Sequence, residues 1–273
     1  MSGVTSGGIM HVITGLGVGG AETMLASLVK AEIAASQRPI VISLIPGGLV
    51  ATQLKKAGID VLDLGMVRGR PGFGSLFRLR SLIRRFRPDV LQSWMYHANL
   101  VATGALALSG RRRRTVHYWG LRCSDMDLDA YGWIFRSVVK AGGNFSAWPD
   151  AITCNSEAGI TVHKALGYRP RRFLLVDNGV DIARFKPNPE ARSAVREKFG
   201  IGPDTPVIAT AARVDPMKDY PNLLAALDRL PQVTAIVMGD GTENLPDSSR
   251  LIRLGRCDRV EKVLAAADLV VSA

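Results

Sequence analysis

Short apolar runs alternate along this chain with longer segments whose apolar positions recur at helical spacing. Residues 10–14, 40–45, 61–64 and 90–93 read as strands, and helices are expected from Ala21, Ala51, Ser75 and Ala98. The strands are rich in β-branched residues and leucine and lack polar alternation, as expected of a sheet covered by helices on both faces. A doubly wound parallel α/β sheet follows, extended by strands at 115–119, 151–154 and 173–176. An aromatic helical run, 131–139, sits between the first two of these.

A second alternation begins after 178–189, a segment whose Pro187 and Pro189 mark a linker. It comprises a helix at 191–199, a strand at 207–212, a helix at 220–230, strands at 234–239 and 251–254, a helix at 259–267 and a strand at 269–272. Two Rossmann-like domains are therefore expected, 1–185 and 186–273. A parallel strand needs neighbours on both sides to bury itself, so the second sheet is expected to be incomplete.

Candidate chemistry lies where strands give way to helices. Gly15-Leu-Gly17-Val-Gly-Gly20 has the spacing of a dinucleotide fingerprint, but the strand at 40–45 runs into Pro46-Gly47-Gly48 with no carboxylate to hold a ribose. What remains is either a glycine turn serving packing or backbone N–H groups at a helix start that approach an anion closely. Arg213 and Lys218 leave the carboxyl end of a strand just ahead of a helix, a place suited to a diphosphate; solvated loop charges are the alternative. His97 follows another strand in Trp94-Met-Tyr-His97-Ala-Asn99, with polar and aromatic neighbours that suit a sugar. Asp125, Asp127 and Asp129 look like a metal-binding motif, yet carboxylates ahead of a helix are better explained by its macrodipole. Phe77-Arg78-Leu-Arg80 through Arg87 is amphipathic, either an ordinary surface helix or an interfacial one, and Arg111–Arg114 adds a second basic cluster.

Composition narrows the partners. The chain has 35 Lys+Arg against 24 Asp+Glu, a net charge of +11, which favours anionic ligands, nucleotide diphosphates and acidic lipid among them. No recognition helix or aromatic-interleaved basic strand supports nucleic acid. Three separated cysteines suggest neither a disulfide framework nor a zinc site and fit a reducing, cytoplasmic setting. The first residues lack the basic region of a signal peptide, and the apolar run 98–108 is too short for a bilayer needing ~20 residues.

The order of these pieces resembles glycosyltransferase family 4, retaining enzymes of the GT-B fold. The resemblance rests on Gly19-Gly-Ala-Glu22, Trp94-Met-Tyr-His97, Trp119-Gly-Leu-Arg122 and Asn155-Ser-Glu-Ala158, then Asn178-Gly-Val-Asp181 with Phe185-Lys-Pro187, Arg213 with Lys218, and Gly239-Asp-Gly241. It implies a nucleotide-sugar donor, UDP- or GDP-linked, and a glycan or lipid-linked acceptor. Gly19 and Gly20, with Arg213 and Lys218, would face the donor diphosphate without a metal or other cofactor. Gly239, Asp240 and Gly241 would face the nucleotide, His97 would act at the transferred sugar or acceptor, and Trp94, Asn99 and Arg122 would lie on the acceptor side. The family's pair of glutamates after the strand at 269–272 has no counterpart in the sequence, so impaired donor binding is expected of a truncated enzyme. A nucleotide-sugar 2-epimerase of the same fold and a non-catalytic acceptor- or membrane-binding fragment at the inner face of the membrane are the alternatives.

Overall fold

The computed structural model describes residues 7–67, 73–124 and 128–272. The chain forms two compact units, Met1–Gly179 and Val180–Ala273. This division precedes the 185/186 boundary read from the sequence. Arg184 accounts for the difference, because its guanidinium donates to Glu261 Oε2 at 2.8 Å, a residue of the second unit.

The first unit alternates β1 (Ile9–Ile13), α1 (Gly20–Ala34), β2 (Ile40–Ser43), α2 (Leu49–Lys56), β3 (Asp60–Asp63), α3 (Phe73–Phe86), β4 (Val90–Trp94), α4 (Tyr96–Ser109), β5 (Val116–Leu121), α5 (Trp133–Phe145), β6 (Ala151–Cys154), α6 (Glu157–Ala165) and β7 (Phe173–Leu175). The strands form one seven-stranded sheet in the order β3-β2-β1-β4-β5-β6-β7, every adjacent pair parallel. Successive strand residues point to opposite faces, and β1 buries both. Met10 and Val12 join a cluster with Leu79, Ile83 and Leu106, while Ile13 joins another with Leu25, Val29 and Leu54. The apolar stripe of the arginine-rich helix α3 thus belongs to the core, with Leu79 and Ile83 wholly buried, as an ordinary surface helix requires.

Two features go beyond the sequence pattern. Helix α5 continues through Gly142 and Gly143, where a Cβ on Gly142 would lie 2.2 Å from the Tyr168 hydroxyl; its absence lets that hydroxyl donate to Val139 O at 3.0 Å. Helix α6 fills the stretch left unassigned after residue 154, and Ser156 caps it by accepting from Gly159 N–H at 3.0 Å.

The second unit runs α7 (Pro189–Lys198), β8 (Val207–Ala211), α8 (Tyr220–Asp228), β9 (Thr234–Met238), β10 (Leu251–Arg253), α9 (Val260–Ala266) and β11 (Leu269–Val270). Pro189 opens α7 rather than closing a linker, because a missing N–H costs nothing in the first helical turn, and the Asn188 side chain caps the helix. The four-stranded parallel sheet has the order β10-β9-β8-β11. Arg196, 4% exposed, ties α7 to the loop before β8 and to the end of α9: it donates to Ala266 O, Gly202 O, Pro203 O, Thr205 O and Asp268 Oδ2. The same Asp268 oxygen accepts from Val207 N–H at 2.8 Å, which joins the start of β8 to the strand beside it. No helix among the described residues is long and apolar enough to cross a membrane.

Candidate active site

Strand order in the first sheet reverses between β1 and β4, which pair from Ile9↔Val90 to Ile13↔Trp94. Crossovers leave such a pair in opposite directions, so a crevice opens beyond their carboxyl ends. Gly19 and Gly20 begin α1 on one side of it, and Met95, Tyr96 and His97 begin α4 on the other. Gly19 and Met95, the residues before these helices, supply no side-chain cap, and the first-turn amides of a helix lack intrahelical acceptors, so the start of α1 brings N–H donors to the switch point. Met95 holds the left-handed φ of 69° as it turns the chain from β4 into α4, local backbone strain at the crevice edge.

The glycines of this loop differ in kind. A Cβ on Gly15, Gly17 or Gly20 would meet nothing within 4 Å, and one on Gly19 would press only on the flexible Glu22 side chain. Gly48, between β2 and α2, has φ 107°, and a Cβ there would lie 2.0 Å from Leu16 O. Close backbone approach, the physical reason for glycine in such loops, is met at Gly48 and not in the G-x-G-x-x-G run itself.

His97 is half-buried, 6.1 Å from the Phe135 ring, and burial lowers its pKa. It is therefore a neutral group at the head of α4, able to accept or donate one proton. Trp94 and Asn99, expected on the acceptor side, are each 1% exposed and do not line the crevice. The Asn99 amide nitrogen donates to Ser93 Oγ at 2.8 Å and to Met95 O at 3.3 Å, holding the strained turn from below. Trp94 Nε1–H donates to His11 Nδ1 at 3.2 Å. Arg122, just past β5, lies over the Trp94 ring at 5.1 Å and donates to Asn178 Oδ1 at 2.5 Å. Its Nε is buried and meets no acceptor among the described residues, and burial lowers its pKa. Asp125 and Asp127 lie outside the described residues; Asp129 pairs with Arg136 at 3.1 Å.

In the second unit the expected groups gather at the carboxyl edge of β8 and β9. Gly239 has φ 139°, and a Cβ would sit 2.1 Å from Ala212 O, so only glycine lets the turn after β9 close on the end of β8. Val214 N–H donates to Asp240 O at 2.8 Å and locks the two loops. Gly241 takes a left-handed φ of 87° to start a short 3-10 turn. Arg213 and Lys218 therefore share an edge with Gly239, Asp240 and Gly241. Arg213 is not bare: it donates from Nε and Nη2 to Asp215 Oδ2 at 2.9 and 2.7 Å, and this bond holds the Asp215 carboxyl below its usual range. Asp240 is gripped by Arg256, whose Nε and Nη2 reach its two oxygens at 3.0 and 3.1 Å. Asp215 and Arg256 were not legible as partners, since neither belongs to a glycine turn or a cation pair read from spacing.

A sequence model for Glycosyltransferase Family 4 matches residues 18–184. A GDP-mannose-dependent monoacylated alpha-(1-6)-phosphatidylinositol monomannoside mannosyltransferase of Corynebacterium glutamicum is 34% identical over 135 residues, which cover 44% of this chain and 35% of the relative. A D-inositol 3-phosphate glycosyltransferase of Mycobacteroides abscessus is 32% identical over 106 residues, 37% of this chain and 23% of the relative. The chain thus matches about a third or less of the length of these relatives. Among solved structures, Anabaena Alr3699/HepE in complex with UDP-glucose matches 97% of this chain and 73% of its own with a TM-score of 0.80 at 22% identity. A sucrose-phosphate synthase from Thermosynechococcus elongatus matches 97% and 75% with a TM-score of 0.73 at 13% identity. Likeness at these identities speaks for the fold.

Proposed function

The chain belongs to glycosyltransferase family 4, and from that premise we propose that it moves a sugar from a nucleotide-sugar donor to a glycan or lipid-linked acceptor with retention of configuration. The observation that carries the reading is the gathering of Arg213, Lys218, Gly239 and Gly241 at one sheet edge, with Gly239 closing on Ala212. A leaving nucleoside diphosphate develops negative charge, and fixed cations with backbone N–H groups stabilise it more in the transition state than in the ground state. Arg213 meets that charge by exchanging its bond to Asp215 for one to phosphate. His97 faces the transferred sugar or its acceptor, and Arg122 faces an anionic group of the acceptor. Phosphorylated acceptors in the names of both curated relatives support the assignment of Arg122, and UDP- and GDP-linked sugars are the donors to try first.

The reading is tested by release or transfer of sugar from UDP-, GDP- and ADP-sugars, compared between the parent and Arg213→Ala/Lys218→Ala. Turnover with one donor, lowered about 100-fold or more by the double substitution, is expected from loss of two charge-stabilising groups. Equal turnover by both proteins would contradict the diphosphate role. Transfer to an added acceptor, rather than isomerisation of the donor alone, separates it from a 2-epimerase.

A peripheral contact with anionic membrane rests on a separate observation. Arg84, Arg85, Arg113 and Arg114 are exposed, and Phe77, Phe145 and Trp148 are exposed on the same unit. Arg80 and Arg112 connect these pieces by donating to Leu108 O and Trp148 O. Aromatic groups at the headgroup level beside arginines suit an acidic lipid surface. Sedimentation with anionic but not neutral liposomes is the expected result, and equal behaviour with both would remove it.

A further inference from the structure

In the first unit a chain of contacts runs to Arg122 from the half-buried Glu32 and the buried His11, two residues that no candidate role has absorbed. Glu32, on α1, meets His11 Nε2 at 2.9 Å, with the two side chains 12% and 1% exposed. The opposite ring nitrogen, Nδ1, accepts from Trp94 Nε1–H at 3.2 Å, and the Trp94 ring carries the Arg122 guanidinium at 5.1 Å. The directions are fixed by chemistry. Indole nitrogen only donates, so Nδ1 of His11 carries no proton, and Nε2 carries it and donates to the carboxylate.

We propose that Glu32, His11 and Trp94 are positioning residues for Arg122, holding its guanidinium at the carboxyl edge of the sheet to receive an anionic phosphate group. The inference rests on the proposed role of Arg122 on the acceptor side. Each link does a definite job. The carboxylate orients the imidazole and strengthens Nδ1 as an acceptor; the bond to Nδ1 fixes the indole plane and enriches its π face; that face carries the cation. Arg122 receives one side-chain acceptor, Asn178 Oδ1, while its buried Nε meets none among the described residues. A guanidinium held by an aromatic face and with a donor left over is oriented without being neutralised. This contrasts with Arg213, whose charge is met by Asp215. It also gives a role to the one histidine in the otherwise apolar strand β1.

The test is titration of the full chain with inorganic phosphate, followed by the resonances of the Trp94 indole N–H and Arg122 Nε–H. In the parent, phosphate is expected to shift both. Glu32→Gln keeps the shape and a hydrogen-bond acceptor, and is expected to weaken phosphate binding about threefold with little change in melting temperature. Trp94→Phe keeps a ring but loses the N–H, and is expected to weaken it further. If Arg122→Ala abolishes the response while Glu32→Gln and Trp94→Phe titrate like the parent, the contacts serve packing alone and the positioning role is overturned. If Arg122→Ala itself titrates like the parent, the acceptor-side reading of Arg122 falls first and the relay falls with it.

Discussion

Single residues divide into those whose chemistry is replaceable and those whose geometry is not. Gly48 and Gly239 hold positive φ and stand against a carbonyl, whereas Gly15 and Gly20 stand in open space. Gly48→Ala is expected to cost about 3 kcal/mol of stability through strain and overlap, and Gly15→Ala to fold like the parent. Chemical denaturation of the two variants checks this, and equal stability would contradict it. The sequence showed a glycine-rich fingerprint but could not say which glycine is sterically required, because the clash involves Leu16, far along the chain from Gly48. His117 makes a second point. It is fully buried and its pKa is pushed down from 6.5 to about 3. Burial is the main cause, Arg112 adds to it, and Asp150 opposes it. The folded chain therefore refuses a proton that the unfolded chain accepts, so stability is full above pH 6.5 and falls as pH drops toward 3. His97 and His163, also lowered, act in the same direction. Thermal melts between pH 7 and pH 4 are expected to show a shallower decline in His117→Asn than in the parent, and parallel declines would contradict the assignment.

Among the elements, the inner strands β1, β2 and β6 were legible because burial on both faces leaves mainly apolar runs, and the order of strands and helices along the chain suffices to place Gly19 and His97 beyond strand ends. What pairs with what was not legible: the β1/β4 reversal depends on crossovers that no local pattern encodes. Helix α6 escaped because Ile160 and Val162 blur its helical spacing, although Ser156 ahead of Glu157 was a capping signal. Trp94 and Asn99 show the limit for sites. A polar or aromatic residue near a strand end reads as a ligand contact, yet both are buried and act on neighbours. The second unit's arginine anchor was invisible for the same reason, since Arg196 looks like any surface helix charge until its carbonyl partners are known. Arg196→Met would strip its donor from Pro203 O and Thr205 O, leave Ala266 O with Arg192 and Gly202 O with Thr205 N–H, and leave Asp268 with a single arginine. A loss of about 3 kcal/mol is expected from unpaired buried groups, seen as faster hydrogen exchange in β8 and α9. Unchanged exchange there would contradict the anchor.

At the scale of the whole molecule, two units repeat one solution: a parallel sheet whose carboxyl edge collects glycine turns, helix starts and cations. In the first unit this edge carries N–H donors, His97 and Arg122; in the second it carries Arg213 and Lys218 beside the turn closed by Gly239. The net charge of +11 suits anionic ligands at both, although charge alone could not say which. The central claim is that the second edge binds a nucleoside diphosphate through Arg213 and Lys218. Its most direct test is calorimetric titration of the chain with UDP and GDP, repeated on Arg213→Ala/Lys218→Ala. Binding of at least one nucleotide, weakened about tenfold or more by the double substitution, is the expected result. Binding that survives the substitution unchanged, or no binding of either nucleotide at millimolar concentration, would contradict the account.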